Sequence, residues 1–273
     1  RRRRQGAEMP SSRLFSWRGG IATLPAALAR QLGEEVKTSI AVRRLVKTAR
    51  GFRIEAGEAG TIEARSVVVA TQPHVAAQLL EGVDGAAADA AGAIGAPPLA
   101  VVFLGYARRQ VDHPLDGLGF LVPQSEGRAM TGAQFSSTMY PGRSPDGHVA
   151  VAAYIGGARA PDLARLAAAD LIDLARSEFD DLIGARGEPT AARVRHWPRG
   201  LPQYNLGHAD RAACLNEAHR RVAGLFLTGN YFTGPSVAAC LSLARETVSD
   251  IDDFLGQAGD DTGTAIQAEA ANI

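Results

Sequence analysis

Two cysteines, Cys214 and Cys240, stand in 273 residues. They are too few for a disulfide framework or a four-cysteine zinc site. Both read as free thiols, with at least one expected to be buried. The six histidines show neither an H-E-x-x-H pattern nor any paired metal spacing, so no metal site is expected. No Ser occupies G-x-S-x-G; Ser236 lies in Gly-Pro-Ser-Val, which lacks the second glycine and disfavours a hydrolase. Neither a P-loop nor a complete G-x-G-x-x-G is present, and Gly117-Leu-Gly-Phe-Leu-Val fails at its sixth position. No apolar run approaches ~20 residues, so no membrane-spanning helix is expected. Neither charge sign dominates: 29 Lys and Arg balance 29 Asp and Glu, so no net field draws the whole chain to nucleic acid or to an acidic membrane.

What is present is an ordinary globular composition, long enough for one or two domains. The most informative stretch is Gly224 to Cys240. Leu225-Phe226-Leu227 reads as a short buried strand, broken by Gly229-Asn230. Gly234, Pro235 and Ser236 carry helix-start chemistry, and an apolar stripe from Val237 to Leu255 predicts a long helix. Such an N-terminus offers unpaired N–H groups and partial positive charge, which suit a phosphate or an anionic ring edge. By itself the stretch is equally an ordinary β-α connection.

Before it the chain changes character twice. Residues 1–13 are basic and polar, read as a linker or helix end, and the chain is expected to continue a longer protein. A helix is predicted after Gly19-Gly20, with Thr23 as cap and Pro25 in its first turn. Strands are predicted around Val36–Thr38 and Ala41–Lys47, then a hairpin from Phe52–Glu55 to Thr61–Ala64. Val67-Val68-Val69-Ala70 is continuously apolar, as expected of a parallel strand buried on both faces. Pro97-Pro98 opens a strand-rich block: Leu99–Tyr106, Gly117–Pro123, Met130–Thr138, Val149–Ile155 and, after a helix over Asp162–Leu182, Ala192–Trp197. Pro202-Gln203-Tyr204-Asn205-Leu206-Gly207-His208 is a second unusual cluster, whose plainest explanation is an ordered loop in which Tyr and Trp pack. The expected fold is mixed α/β, with one domain left at about residue 95, re-entered at about 198 and closed by a disordered tail over 256–273.

Seven pieces, in order, resemble the protoporphyrinogen oxidase family of the flavin amine oxidase superfamily. They are Trp17-Arg18-Gly19-Gly20, Val67 to Pro73, Gly117 to Pro123, Phe135 to Arg143, Tyr154-Ile155-Gly156-Gly157, Trp197 with Pro202 to His208, and Gly229-Asn230 with Ser236, Val237 and Cys240. The resemblance implies a partial Rossmann-like FAD-binding domain, discontinuous over 14–95 and 198–255, with an antiparallel-sheet substrate domain inserted over 96–197. It implies FAD as cofactor, a porphyrinogen and O₂ as reactants, no nucleic acid, and oxidation of protoporphyrinogen IX to protoporphyrin IX in haem biosynthesis. Coproporphyrinogen III oxidation, another flavin amine oxidase activity and a non-catalytic porphyrin-binding remnant are the alternatives. FAD contacts carried over by the resemblance are Val42 in an edge strand over Ile40–Leu45, Trp197, Gly229, Asn230, Pro235, Ser236 and Val237. The substrate wall is Leu121, Gln134 and Tyr154, Gln134 standing where some relatives have an aliphatic residue. No side chain is assigned a catalytic role. A cytoplasmic location follows, with peripheral contact at the inner face of the cell membrane through a region upstream of this chain, and a homodimer is compatible. By itself this piece is expected to be inactive, because it carries no glycine fingerprint for the diphosphate.

Overall fold

The computed structural model describes residues 16–270, the last fourteen of them as helical backbone alone. The expected linker over 1–13 lies outside the described residues. The chain divides into two units, 1–39 and 40–273. In the first, α1 (Thr23–Leu32) has Pro25 in its opening turn and ends at Gly33, whose φ of 57° suits glycine. Ala22, not Thr23, is the N-cap, and no side chain caps it. The strand expected at Val36–Thr38 does not form; a 3₁₀ turn over Gly33–Glu35 takes the Val36 N–H instead.

In the second unit β1 (Arg44–Thr48), β2 (Gly51–Glu55) and β3 (Thr61–Ala64) form an antiparallel meander. β4 (Val67–Val69) pairs in parallel with β10 (Leu225–Leu227), so distant parts of the chain share one sheet. That sheet has two strands among the described residues. Val69 is buried but Val68 is 41% exposed, which corrects the expectation of burial on both faces. Helices α2 (Pro73–Leu80) and α3 (Gly85–Gly92) follow β4, opened by Pro73 at a first-turn position and by the Asp84 side chain, which accepts from Ala87 N. Leu45, Phe52, Val69, Leu80, Leu215, Leu225 and Tyr231 pack into one core.

The second core lies wholly within residues 100–185. Its sheet runs β6-β7-β8-β5-β9, antiparallel throughout, with β5 (Leu99–Ala107), β6 (Gly119–Leu121), β7 (Met130–Gln134), β8 (His148–Gly156) and β9 (Ala191–Trp197). Alternation puts Ala100, Val102, Leu104 and Tyr106 of β5 and Val151, Ala153 and Ile155 of β8 on the face that packs with Leu171, Ala175 and Phe179 of α5 (Ala168–Ile183). Two boundaries differ from expectation. β7 stops at Gln134, and α4 (Ser136–Met139) follows. The long helix starts at Ala168, because a 3₁₀ turn over Leu163–Arg165 precedes it and the Leu166 carbonyl is engaged by His196 Nε2 at 3.0 Å.

Returning from the sheet, α6 (His208–Asn216) and α7 (Ala218–Arg221) lead into β10, and α8 (Val237–Ala270) closes the chain. α8 continues past Leu255, where the sequence pattern ends it and a disordered tail was expected; the Ala, Gln and Glu of this segment are good helix formers. Neither cysteine is fully buried, contrary to expectation: both are half-buried thiols, and Cys214 Sγ faces Ala86 O at 3.5 Å. No helix among the described residues is long and apolar enough to cross a membrane.

Candidate functional site

Two surfaces of the second unit carry the expected residues. The first is the β10–α8 connection. Leu225, Phe226 and Leu227 are buried, and the chain leaves them through Gly229 at φ 150°. A Cβ at Gly229 would lie 2.7 Å from Tyr231 Cε1, so the bend over the buried Tyr231 ring requires glycine. Ser236 caps α8 as expected: its Oγ accepts from Ala239 N at 3.1 Å, while its carbonyl takes Cys240 N. Pro235, Ser236 and Val237 are exposed, so this end of α8 presents its N–H groups and positive dipole end outward.

The loop after β9 lies against that helix start. Gly200 N and Gln203 N donate to Pro97 O and Gly95 O, laying the outgoing and returning strands of chain side by side. Tyr204 then donates its hydroxyl to Asn230 O and packs its ring 4.4 Å from His208. Burial first, and the Cys240 sulfur second, hold the Tyr204 phenol above its ordinary value. Spacing marks Pro202–His208 as unusual but cannot name Asn230 as the partner, because the bond joins residues far apart in sequence. Trp197, at the end of β9, is 44% exposed and lies beneath the Arg195 guanidinium, 4.9 Å from its ring centroid. Val42 is also exposed, but not in a strand: β1 begins at Arg44, and only Arg43 N, donating to Glu55 O, precedes the ladder. The late start follows from the partner: β2 ends at Glu55, opposite Arg44, and the chain turns into a 3₁₀ helix over Gly57–Ala59, so residues 41–42 have no strand to pair with among the described residues.

The second surface is the open face of the five-stranded sheet. Register places Leu121, Gly132, Tyr154, Val101 and Arg195 in one row across the strands, and Gly119, Gln134, Ala152, Phe103 and Arg193 in the next row of the same face. Leu121, Gln134 and Tyr154 are thus brought together. Gly132 leaves a gap between Leu121 and Tyr154; a Cβ there would meet Phe120 O at 2.7 Å. Tyr154 donates to Gln134 Oε1 at 2.7 Å, so the polar residue in the wall is paired within the wall. Burial first, and the neighbouring Tyr140 phenol second, push the Tyr154 phenol up. Leu121 is 89% exposed and Phe103 45%. Phe103 escaped the sequence reading, although apolar residues at both phases of β5 signal a strand with work on two faces. The result is a broad apolar and aromatic wall backed by a rigid core. No group of His, Cys, Asp or Glu among the described residues is arranged to hold a metal ion.

Comparison with known proteins gives the family of the chain. Residues 2–251 match the flavin containing amine oxidoreductase family. The chain belongs to that family. Within it, the chain is 30% identical over 256 residues to the chloroplastic protoporphyrinogen oxidase of Nicotiana tabacum, covering 89% of this chain and 47% of that one. It is 27% identical over 234 residues to the coproporphyrinogen III oxidase of Bacillus subtilis (strain 168), covering 85% and 49%. Among solved structures, a protein of Exiguobacterium sp. 255-15 provisionally assigned as a protoporphyrinogen oxidase superposes with TM-score 0.78 at 20% identity, covering 89% and 53%, which shows a shared fold. The chain spans about half the length of the curated relatives it matches. Family membership makes a flavin the cofactor, and the exposed, Ser236-capped start of α8 fits the anionic or polar edge of such a ring.

Proposed function

We propose that this chain is the substrate-wall and flavin-edge portion of a FAD-dependent oxidase of protoporphyrinogen IX that uses O₂. The sheet over 96–197 is then a substrate domain inserted into a flavin-binding domain formed by 14–95 and 198–255. The single observation that carries the reading is the open sheet face, where Leu121, Tyr154 and Phe103 stand on one side of adjacent strands as an apolar and aromatic surface of the kind a flat macrocycle stacks on. When bound, FAD would accept hydride equivalents from the macrocycle and return them to O₂. The chain's own part is positioning and electrostatics. The wall excludes water and orients the ring, the Tyr154–Gln134 pair holds the centre of the wall in one rotamer set, and the positive end of α8 favours negative charge on the cofactor edge. Similarity to the B. subtilis enzyme keeps coproporphyrinogen III as a second reading.

The whole protein is expected to consume O₂ and generate porphyrin fluorescence from protoporphyrinogen IX. Tyr154→Ala should lower turnover about ten-fold or more, the loss of one well-placed wall contact, while bound flavin, read by absorbance, stays near the wild-type level. Unchanged turnover would remove Tyr154 from the wall, and absence of oxidation of either porphyrinogen would overturn the reading.

A further inference from the structure

Beyond Phe103 the open face of the sheet runs into a cleft of about 390 Å³ between β9 and the loop before β8. It is lined by Phe103, Arg143, Ser144, His148, Thr190 and Arg193, among others, and no carboxylate lines it among the described residues. Asp146, the acid in that loop, is not in the lining; its backbone oxygen faces His148 Nδ1 at 3.2 Å. Arg193 stands directly across from Phe103 in the sheet register and forms no ion pair with an acid of the described residues. The Ser144 hydroxyl is buried without a hydrogen-bond partner, a donor that a ligand atom would satisfy. The cleft meets the wall at Phe103, which lines the cleft and stands on the open face of the sheet, and at the cleft's loop side the Arg143 guanidinium lies 4.1 Å from the Tyr140 ring centroid. Two strand spacings, or about 10 Å, separate β9 from β8.

A cleft edged by the unpaired Arg193 and by hydroxyls, with no acid lining it among the described residues, at the margin of an apolar wall, suits an anion attached to a flat apolar body. We propose that it takes a carboxylate-bearing side arm of the macrocycle, with Arg193 as the donor. This rests on the porphyrinogen reading of the wall and adds a selectivity to it. Macrocycles with a carboxylate at that position are favoured, and one with acids on every pyrrole, as in coproporphyrinogen, always presents one there. Arg suits this role because its planar fork meets both carboxylate oxygens, so Lys replaces it only in part.

The test is porphyrin binding to the whole protein, read by porphyrin fluorescence, with coproporphyrin III and its tetramethyl ester compared in the same detergent. The free acid should bind at least about ten-fold more tightly than the ester and weaken with added salt. Arg193→Ala should lower acid affinity about ten-fold and leave ester affinity unchanged, with Arg193→Lys recovering part of the loss. Arg193 is exposed on an edge strand, so the variant should fold, and an unchanged circular dichroism melt checks this. If acid and ester bind alike and Arg193→Ala changes neither, the cleft inference is overturned and the wall stands. If neither porphyrin binds the wild-type protein, the wall reading fails and the cleft inference with it.

Discussion

The two cores of the second unit are built differently. The core beneath the five-stranded sheet draws on a continuous stretch, residues 100–185, whereas the other joins residues 45–94 to residues 215–231. In the first, a row of side chains can be laid across the sheet by neighbouring strands, and the wall of Leu121, Gln134 and Tyr154 is backed locally. In the second, the turn at Gly229 is positioned only if chain segments far apart in sequence find each other. Among the contacts that make that join are the parallel β4–β10 pair, Lys47 Nζ donating to Ala223 O at 2.9 Å, and Asp84 paired with Arg221. Closing such long loops costs entropy before the contacts repay it. The β10–α8 connection is therefore expected to be the more easily unsettled of the two surfaces.

The sharpest way to break this contrast is Asp84→Ala. Asp84 is 7% exposed, caps α3 through Oδ1 and meets Arg221 Nε at 2.9 Å through Oδ2. The Asp84 hydrogen bond is also the main reason the Arg221 guanidinium is held above its ordinary value. Losing cap and partner together should cost about 2–4 kcal/mol, and urea unfolding in a Trp17→Phe background, followed separately by the emission of Trp197, on the sheet, and by far-UV circular dichroism, should show the discontinuous core giving way first. A single coincident transition for both probes would mean that the two cores stand or fall together.

A smaller effect is expected of Gly229→Ala. The new methyl must move the Tyr231 ring or the backbone, and φ 150° is strained for alanine, so a cost of about 1–3 kcal/mol follows. The sheet wall should be untouched, which an unchanged Trp197 emission in the same Trp17→Phe background would report. If the variant is as stable as the wild type, the bend does not depend on glycine.

Much of this was legible beforehand, for identifiable reasons. The β10–turn–α8 unit and the β2–β3 hairpin were readable because each is specified locally, by Gly229, Ser236 and the Gly57–Gly60 turn. That Val67–Val69 would share a parallel sheet with the last strand followed from its continuous hydrophobicity, but its open side did not: exposure of Val68 depends on what flanks β4, which no local pattern states. Val42 has a valine's strand preference, but β2 turns away after Glu55 and leaves it no strand partner among the described residues. The helix expected at Asp162 was delayed by a tertiary bond from His196 to the Leu166 carbonyl. Leu121, Gln134 and Tyr154 were named by resemblance and the register sets them on one face, whereas Phe103, Arg193 and the Tyr154–Gln134 bond required the strand register itself.

The finest test of the contrast uses the one feature the two cores share. Each encloses a fully buried tyrosine, Tyr106 under the sheet and Tyr231 beside β10, whose hydroxyl has no hydrogen-bond partner among the described residues. Burial pushes both phenols up to about 12, Tyr106 with a partial offset from Arg176. An acid whose folded-state value is raised stabilises the fold below its unfolded value near 10 and loses that contribution as pH rises through the folded value. Wild-type stability should therefore fall between about pH 10 and 12. At pH 7 an unpartnered buried hydroxyl contributes nothing favourable, so Tyr106→Phe and Tyr231→Phe should each be neutral or stabilising by up to about 1 kcal/mol. At pH 11 each should be more stable than the wild type, because phenylalanine has no proton to release on unfolding. If the discontinuous core is the looser one, water reaches Tyr231 more readily than Tyr106, and Tyr231→Phe should flatten the alkaline decline less. Thermal melts of the two variants across pH 7–12 measure the difference, and a loss of more than about 1.5 kcal/mol at pH 7 from either would show that its hydroxyl is bonded after all.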